Sequence, residues 1–126
     1  MNATSEAATV VRSLFEAMEA RDWALARTLI SDNATIDWTE TGERFVGQRF
    51  IDVNEAYPEG WTIDVVEVLD AGDRAAAQVR VTLGDETFWC AGFYSVDDGR
   101  ITGGTEHWVT AGSEAPPAWR EGFADG

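Results

Sequence analysis

The sequence predicts an α+β domain in which helices come first and a sheet comes last. Three observations carry this. Val10, Leu14, Ala17 and Met18 recur at helical spacing near the start. Four β-rich runs follow Trp61. The short links between them, Ala71-Gly72-Asp73, Gly84-Asp85 and Asp97-Asp98-Gly99, supply glycine where a tight antiparallel turn needs positive φ.

The first helix is expected over about residues 5–20, with Val11 and Phe15 flanking its stripe and Ser5-Glu6 placing an acid in its first turn. Asp22 suits the cap of a second helix carrying Leu25, Leu29 and Ile30 and ending at Ser31-Asp32-Asn33. Residues 34–38 then alternate with period two as a strand, which Thr41-Gly42 turns. A third helix follows Gly47, with Phe50, Val53 and Tyr57 on one face and Pro58 as its stop. Strands are expected at about 61–69, 74–83, 86–96 and 100–109, forming an antiparallel meander. Residues 111–126 read as a surface tail that Trp119 could anchor.

The 126 residues make a single domain, large enough to bury roughly two thirds of its unfolded surface around one core. Three helices cover one face of the curved sheet. The other face, with Trp89, Phe93 and His107, is left for a partner, which a homodimer through the sheet would supply.

Composition excludes several functions. Net charge is −14 and all nine basic residues are Arg, so phosphate backbones and anionic membranes would be repelled. Cys90 is alone, which rules out an intrachain disulfide and fits a reducing cytoplasm. The first twenty residues lack a basic and apolar leader, and no run approaches a membrane span. Asn2-Ala3-Thr4 and Asn33-Ala34-Thr35 match a glycosylation pattern but read as turn chemistry without such a leader. No zinc spacing, phosphate loop or nucleophile elbow occurs, so neither metal nor cofactor is expected.

The order helix, helix, strand, helix, four strands, with "ARDWALARTLISDNATIDW" and "DDGRITGGTEHW", resembles the nuclear-transport-factor-two-like cone fold, more narrowly its SnoaL-like group. The resemblance covers about residues 6–110. It implies a cone-shaped pocket between three helices and the concave sheet face. Ketosteroid isomerases of this fold would place their tyrosine at Leu14, their base at Trp38 and their second aspartate near Gly92. None of the three carries the needed group, so that mechanism is contradicted. Limonene-epoxide-hydrolase relatives would place their last-strand carboxylate at Glu106 and their arginine at Arg80, with Thr82 replacing an aspartate. Their water-holding asparagine and tyrosine would fall at Trp38 and Ile36.

Glu106 and His107 adjoin on one strand, so they face opposite sides. Glu106 in a dry aromatic cavity would have a raised pKa and could move protons; Arg80 nearby would hold it ionised or steady an oxyanion. The catalytic expectation is therefore Glu106 with Arg80. Trp38, Trp108, Thr82, Tyr94, Ile36, Leu14, Tyr57 and His107 are the expected ligand contacts. Asp37 should point away from Ile36 and Trp38, and the direction of Asp64 depends on a bulge at Val65-Val66. Cys90 lacks a histidine partner for nucleophilic work. The functional expectation is a cofactor-independent SnoaL-like isomerase, cyclase or hydrolase acting on a small hydrophobic metabolite. The alternatives are a dimeric small-molecule-binding protein and an interaction module whose cone is filled by its own aromatics.

Overall fold

A computed structural model describes residues 5–126; the Asn2-Ala3-Thr4 motif lies outside the described residues. Three helices and six strands follow in the order α1 (Ser5–Glu19), α2 (Trp23–Thr28), β1 (Ile30–Trp38), β2 (Glu43–Val46), α3 (Arg49–Ala56), β3 (Trp61–Ala71), β4 (Arg74–Leu83), β5 (Glu86–Asp97) and β6 (Arg100–Thr110). The strands form one sheet in the order β2-β1-β6-β5-β4-β3. No described helix is long and apolar enough to cross a membrane.

The α+β class and the β3–β6 meander match the sequence expectation. Three local features differ. β1 pairs with β6 in parallel, so the sheet is mixed rather than wholly antiparallel. β2 is an additional edge strand, folded back on β1 by the Thr41-Gly42 turn. It is largely exposed and shows no apolar alternation. α2 stops at Thr28, because Ile30 already pairs with Ile101 and is buried in the sheet; Ala26, not the exposed Leu25, is its inward residue.

α1 is amphipathic as read, burying Ala7, Val10, Val11, Leu14, Phe15, Ala17 and Met18 against the sheet. A fully buried leucine such as Leu14 contributes about 1.5–3 kcal/mol relative to leaving it in water. Polar contacts pin both ends of the helix. Glu6 accepts the Gly99 backbone N–H at 2.7 Å, and Glu19 accepts that of Ile63 at 2.7 Å. Just beyond, Arg21 adopts φ 59°, donates to the Trp61 carbonyl at 2.6 Å and to Glu59, and stacks 3.4 Å from the Trp61 ring centroid. Asp22 caps α2 by accepting the Leu25 N–H at 3.1 Å.

Sheet alternation divides the side chains cleanly. Ala75, Ala77, Val79 and Val81 of β4, Cys90, Gly92 and Tyr94 of β5, and Glu106 of β6 are buried on the helix side. Arg80, Thr82, Trp89, Phe93 and His107 occupy the outer face. The tail is exposed from Ala111 onward, and Trp119, at 73% exposure, does not anchor it within this chain.

Candidate functional site

Between the helices and the inner sheet face lies a cavity of about 290 Å³. Phe15 and Met18 of α1, Phe50, Val53 and Asn54 of α3, and Tyr57 beyond it line one side. Trp61, Ile63, Val81, Phe88, Trp108 and Thr110 line the sheet side, while Glu40, Thr41 and Glu43 contribute from the β1–β2 turn. Trp38 and Glu106 complete it. The lining is overwhelmingly apolar and aromatic, and no Arg, Lys or His belongs to it among the described residues.

Glu106 is the one charged residue buried in the protein among those described, with 1% exposure. Its carboxyl group accepts from three neutral donors. Trp38 Nε1 and Trp108 Nε1 donate to Oε1 at 2.8 and 3.2 Å, and the Tyr94 hydroxyl donates to Oε2 at 2.5 Å. An ionised carboxylate offers about four acceptor positions, so one remains, on Oε2. Burial pushes the Glu106 pKa up, against the three hydrogen bonds that pull it down. Burial and the nearby carboxyl also drive Tyr94 and Cys90 up, which keeps both neutral.

The sequence builds this arrangement by register. Trp38 of β1 lies beside Glu106 in the parallel pair, and Trp108 follows two residues later on the same face. Tyr94 reaches across because Gly92, the direct cross-strand partner of Glu106, has no side chain. A Cβ at Gly92 would fall on the Tyr94 hydroxyl, and one at Gly104 would press within 2.8 Å of the Tyr94 ring. Two glycines therefore clear the path of one tyrosine. Phe15 supports that ring edge-on, with centroids 6.2 Å apart.

The structure brings together Glu106, Trp38, Trp108 and Tyr57 at the cavity, and places Tyr94 behind Glu106 as a hydrogen-bond donor rather than at the wall. Five expected residues lie elsewhere. Arg80 is on the outer face, where it pairs with Asp64 at 2.8 Å; it cannot touch Glu106 through the sheet. Thr82 shares that face. Leu14 and Ile36 are fully buried in the core, without forming the cavity wall. His107 is on the outer face, sharing a 2.8 Å hydrogen bond with the Thr39 hydroxyl and meeting Phe93 edge-on. The bulge near Val65 is present, leaving Val66 unpaired and Asp64 facing outward. Asp37 binds Arg44 at 2.7 Å, clear of the cavity as read. Sequence reasoning missed Phe15, Met18, Ile63, Val81 and Phe88 as lining and missed the partner role of Tyr94. The Trp61 indole N–H is buried with no partner.

The comparisons agree on the scaffold. A structure from Kribbella flavida, provisionally described as a ketosteroid isomerase, is 30% identical over 99% of this chain and 92% of its own, with TM-score 0.87. An epoxide hydrolase of limonene-epoxide-hydrolase type from M. tuberculosis is 20% identical, covering 84% of each chain at TM-score 0.73. A protein from Sinorhizobium meliloti, provisionally described as a polyketide cyclase, is 17% identical over 78% of this chain and 93% of its own, at TM-score 0.67. No curated protein matches the sequence. The SnoaL-like domain model matches residues 11–104, and the chain belongs to that family.

Proposed function

We propose that this protein is an enzyme that moves a proton within a compact, largely apolar molecule, with Glu106 as the group that carries the proton. One observation carries the reading: a carboxyl group at 1% exposure lines an otherwise oily cavity and is held by three neutral donors, with its pKa pushed up by burial. A raised carboxyl pKa lies closer to neutral working pH, where both proton gain and loss are accessible. Trp38, Trp108 and Tyr94 fix its orientation and do the positioning work first expected of Arg80. The isomerase, hydrolase and cyclase descriptions of the structural neighbours support a scaffold that hosts this chemistry. A cavity of about 290 Å³ is at the lower end of small-molecule sites, which favours a mono- or bicyclic substrate. The test is turnover by wild type and Glu106→Gln on a panel of enones, epoxides and polyketide-like compounds. A loss of about 10²-fold or more is expected. Unchanged turnover removes Glu106 from the mechanism, and tight binding without turnover makes the protein a carrier.

We further propose that two copies pair through the outer sheet face, where Phe93 and Val109 are exposed beside Trp89 and the Arg80–Asp64 pair. A two-fold contact would bury the same patch from both sides. Sedimentation should show a dimer that Phe93→Arg converts to monomer; a monomeric wild type refutes this.

A further inference from the structure

The groups around Glu106 also set which sign of charge the cavity favours. A reaction through an enolate needs donors converging on the developing oxyanion. Here the donors beside Glu106 are engaged with it, and the other donors of the lining lie on other elements or farther along the strand. The Trp38 and Trp108 N–H groups both point to Glu106, and the Asn54 amide donates to the Phe50 carbonyl at 2.7 Å. The Thr110 hydroxyl lies four residues along β6, about 13 Å of strand from Glu106. Tyr57 stands at the exposed mouth, and the Trp61 N–H is on β3, three strands from β6. Every charged side chain in the lining, Glu40, Glu43 and Glu106, is a carboxylic acid. Arg21, stacked on Trp61, is already tied to Glu59. Aromatic faces and carboxylates attract cations and repel anions.

We infer that the reaction passes through a transition state bearing positive charge, with Glu106 as general acid toward a compact neutral molecule whose epoxide oxygen or electron-rich double bond takes up the proton. This rests on the proton-transfer reading above. In the first step the Glu106 O–H bond breaks, its electron pair stays on the carboxylate, and a new O–H or C–H bond leaves the substrate cationic. The three donors are already aimed at the carboxylate so formed, and aromatic residues, Phe15, Trp38, Phe50, Phe88 and Trp108 among them, line the space the cation would occupy. Return of a proton from a neighbouring carbon to the same carboxylate yields an isomer and restores the acid, consuming nothing else.

The test uses three probes of one shape: benzylammonium, benzyl alcohol and benzoate, with binding followed by tryptophan fluorescence at pH 8. Benzylammonium should bind at least about tenfold more tightly than the alcohol, and benzoate more weakly than both. In Glu106→Gln the ammonium preference should fall to about threefold or less, which separates the buried site from the general attraction of an acidic surface. An ammonium-to-alcohol ratio near one, a ratio unchanged in Glu106→Gln, or benzoate binding as well as the alcohol overturns the inference while leaving the cavity reading intact. Failure of all three probes to bind overturns both. Should Glu106→Gln not fold, the wild-type ratio must rise with pH as Glu106 ionises, since benzylammonium stays charged. The titratable groups facing Glu106 are Tyr94 and Cys90, both kept neutral by burial. A Glu40→Gln, Glu43→Gln variant must retain the rise; a flat profile overturns the inference.

Discussion

Replacing Glu106 with Gln keeps the side chain's shape and removes its titration, so the effect of burying this carboxyl group can be read from stability against pH. The unfolded chain has an ordinary glutamate pKa of about 4.3. The folded value is higher, because burial outweighs the donations from Tyr94, Trp38 and Trp108. Between the two, the folded state holds one proton more than the unfolded state. Stability of the wild type therefore falls as pH rises through this window, by about 1.4 kcal/mol per pH unit. It is retained in full below the unfolded pKa and stops falling above the folded one.

Glu106→Gln lacks this slope, while every other titrating group is common to both proteins. The difference in unfolding free energy, wild type minus variant, should fall across the window and then level off. A constant offset of about 1 kcal/mol is also expected, because the Gln amide turns an N–H toward the Tyr94 hydroxyl and reverses one hydrogen bond. Urea unfolding at several pH values and fixed ionic strength, followed by tryptophan fluorescence, measures both quantities. A difference that is flat, or that rises with pH, refutes the claim that burial dominates at Glu106.

Three other outcomes follow from the same geometry. Tyr94→Phe removes the hydroxyl donated to Oε2 and should cost about 1.5–3 kcal/mol in denaturant titrations at a pH where Glu106 is ionised. Gly92→Ala should cost a similar amount by displacing that hydroxyl, yet cost clearly less in a Tyr94→Phe background, where the colliding oxygen is gone; additive costs would contradict the contact. Arg80→Ala should leave turnover unchanged, since Arg80 and its partner Asp64 lie on the outer face, across the sheet from Glu106.

What the sequence made legible was local. The stripe of α1, the cap at Asp22, the stop at Pro58 and the β3–β6 turns each depend on neighbours a few residues apart. So does the opposition of Glu106 and His107, which is a matter of strand alternation alone. The parallel join of β1 to β6 depends on residues some seventy positions apart, and no local pattern encodes it. Yet that join is what brings Trp38 to Glu106. Arg80 is different, since the signal was present: Ala75, Ala77, Val79, Val81 and Leu83 alternate with Gln78, Arg80 and Thr82, which already places the arginine on the solvent side. The resemblance to epoxide hydrolases matches its residue type, whereas strand parity opposes an inward role. Tyr94 was equally readable, two residues from a glycine on the same face, but its partner became evident only once β5 and β6 were in register.

The arrangement at Glu106 is hard to explain by packing. Taking an ionised carboxyl group out of water costs several kcal/mol unless charge and hydrogen bonds compensate. Here hydrogen bonds compensate in part and no cation does. A leucine or glutamine beneath Trp38 and Trp108 would pack without the pH-dependent loss, and Tyr94 would not then need Gly92 to clear its path. Instead two tryptophans, a tyrosine and two glycines are arranged around one acid that borders an open cavity. Core packing alone gives no reason to leave the space in front of it unfilled. The proposed proton transfer to a molecule in that space would give one, because such a step needs the acid dry, oriented and within reach of its substrate.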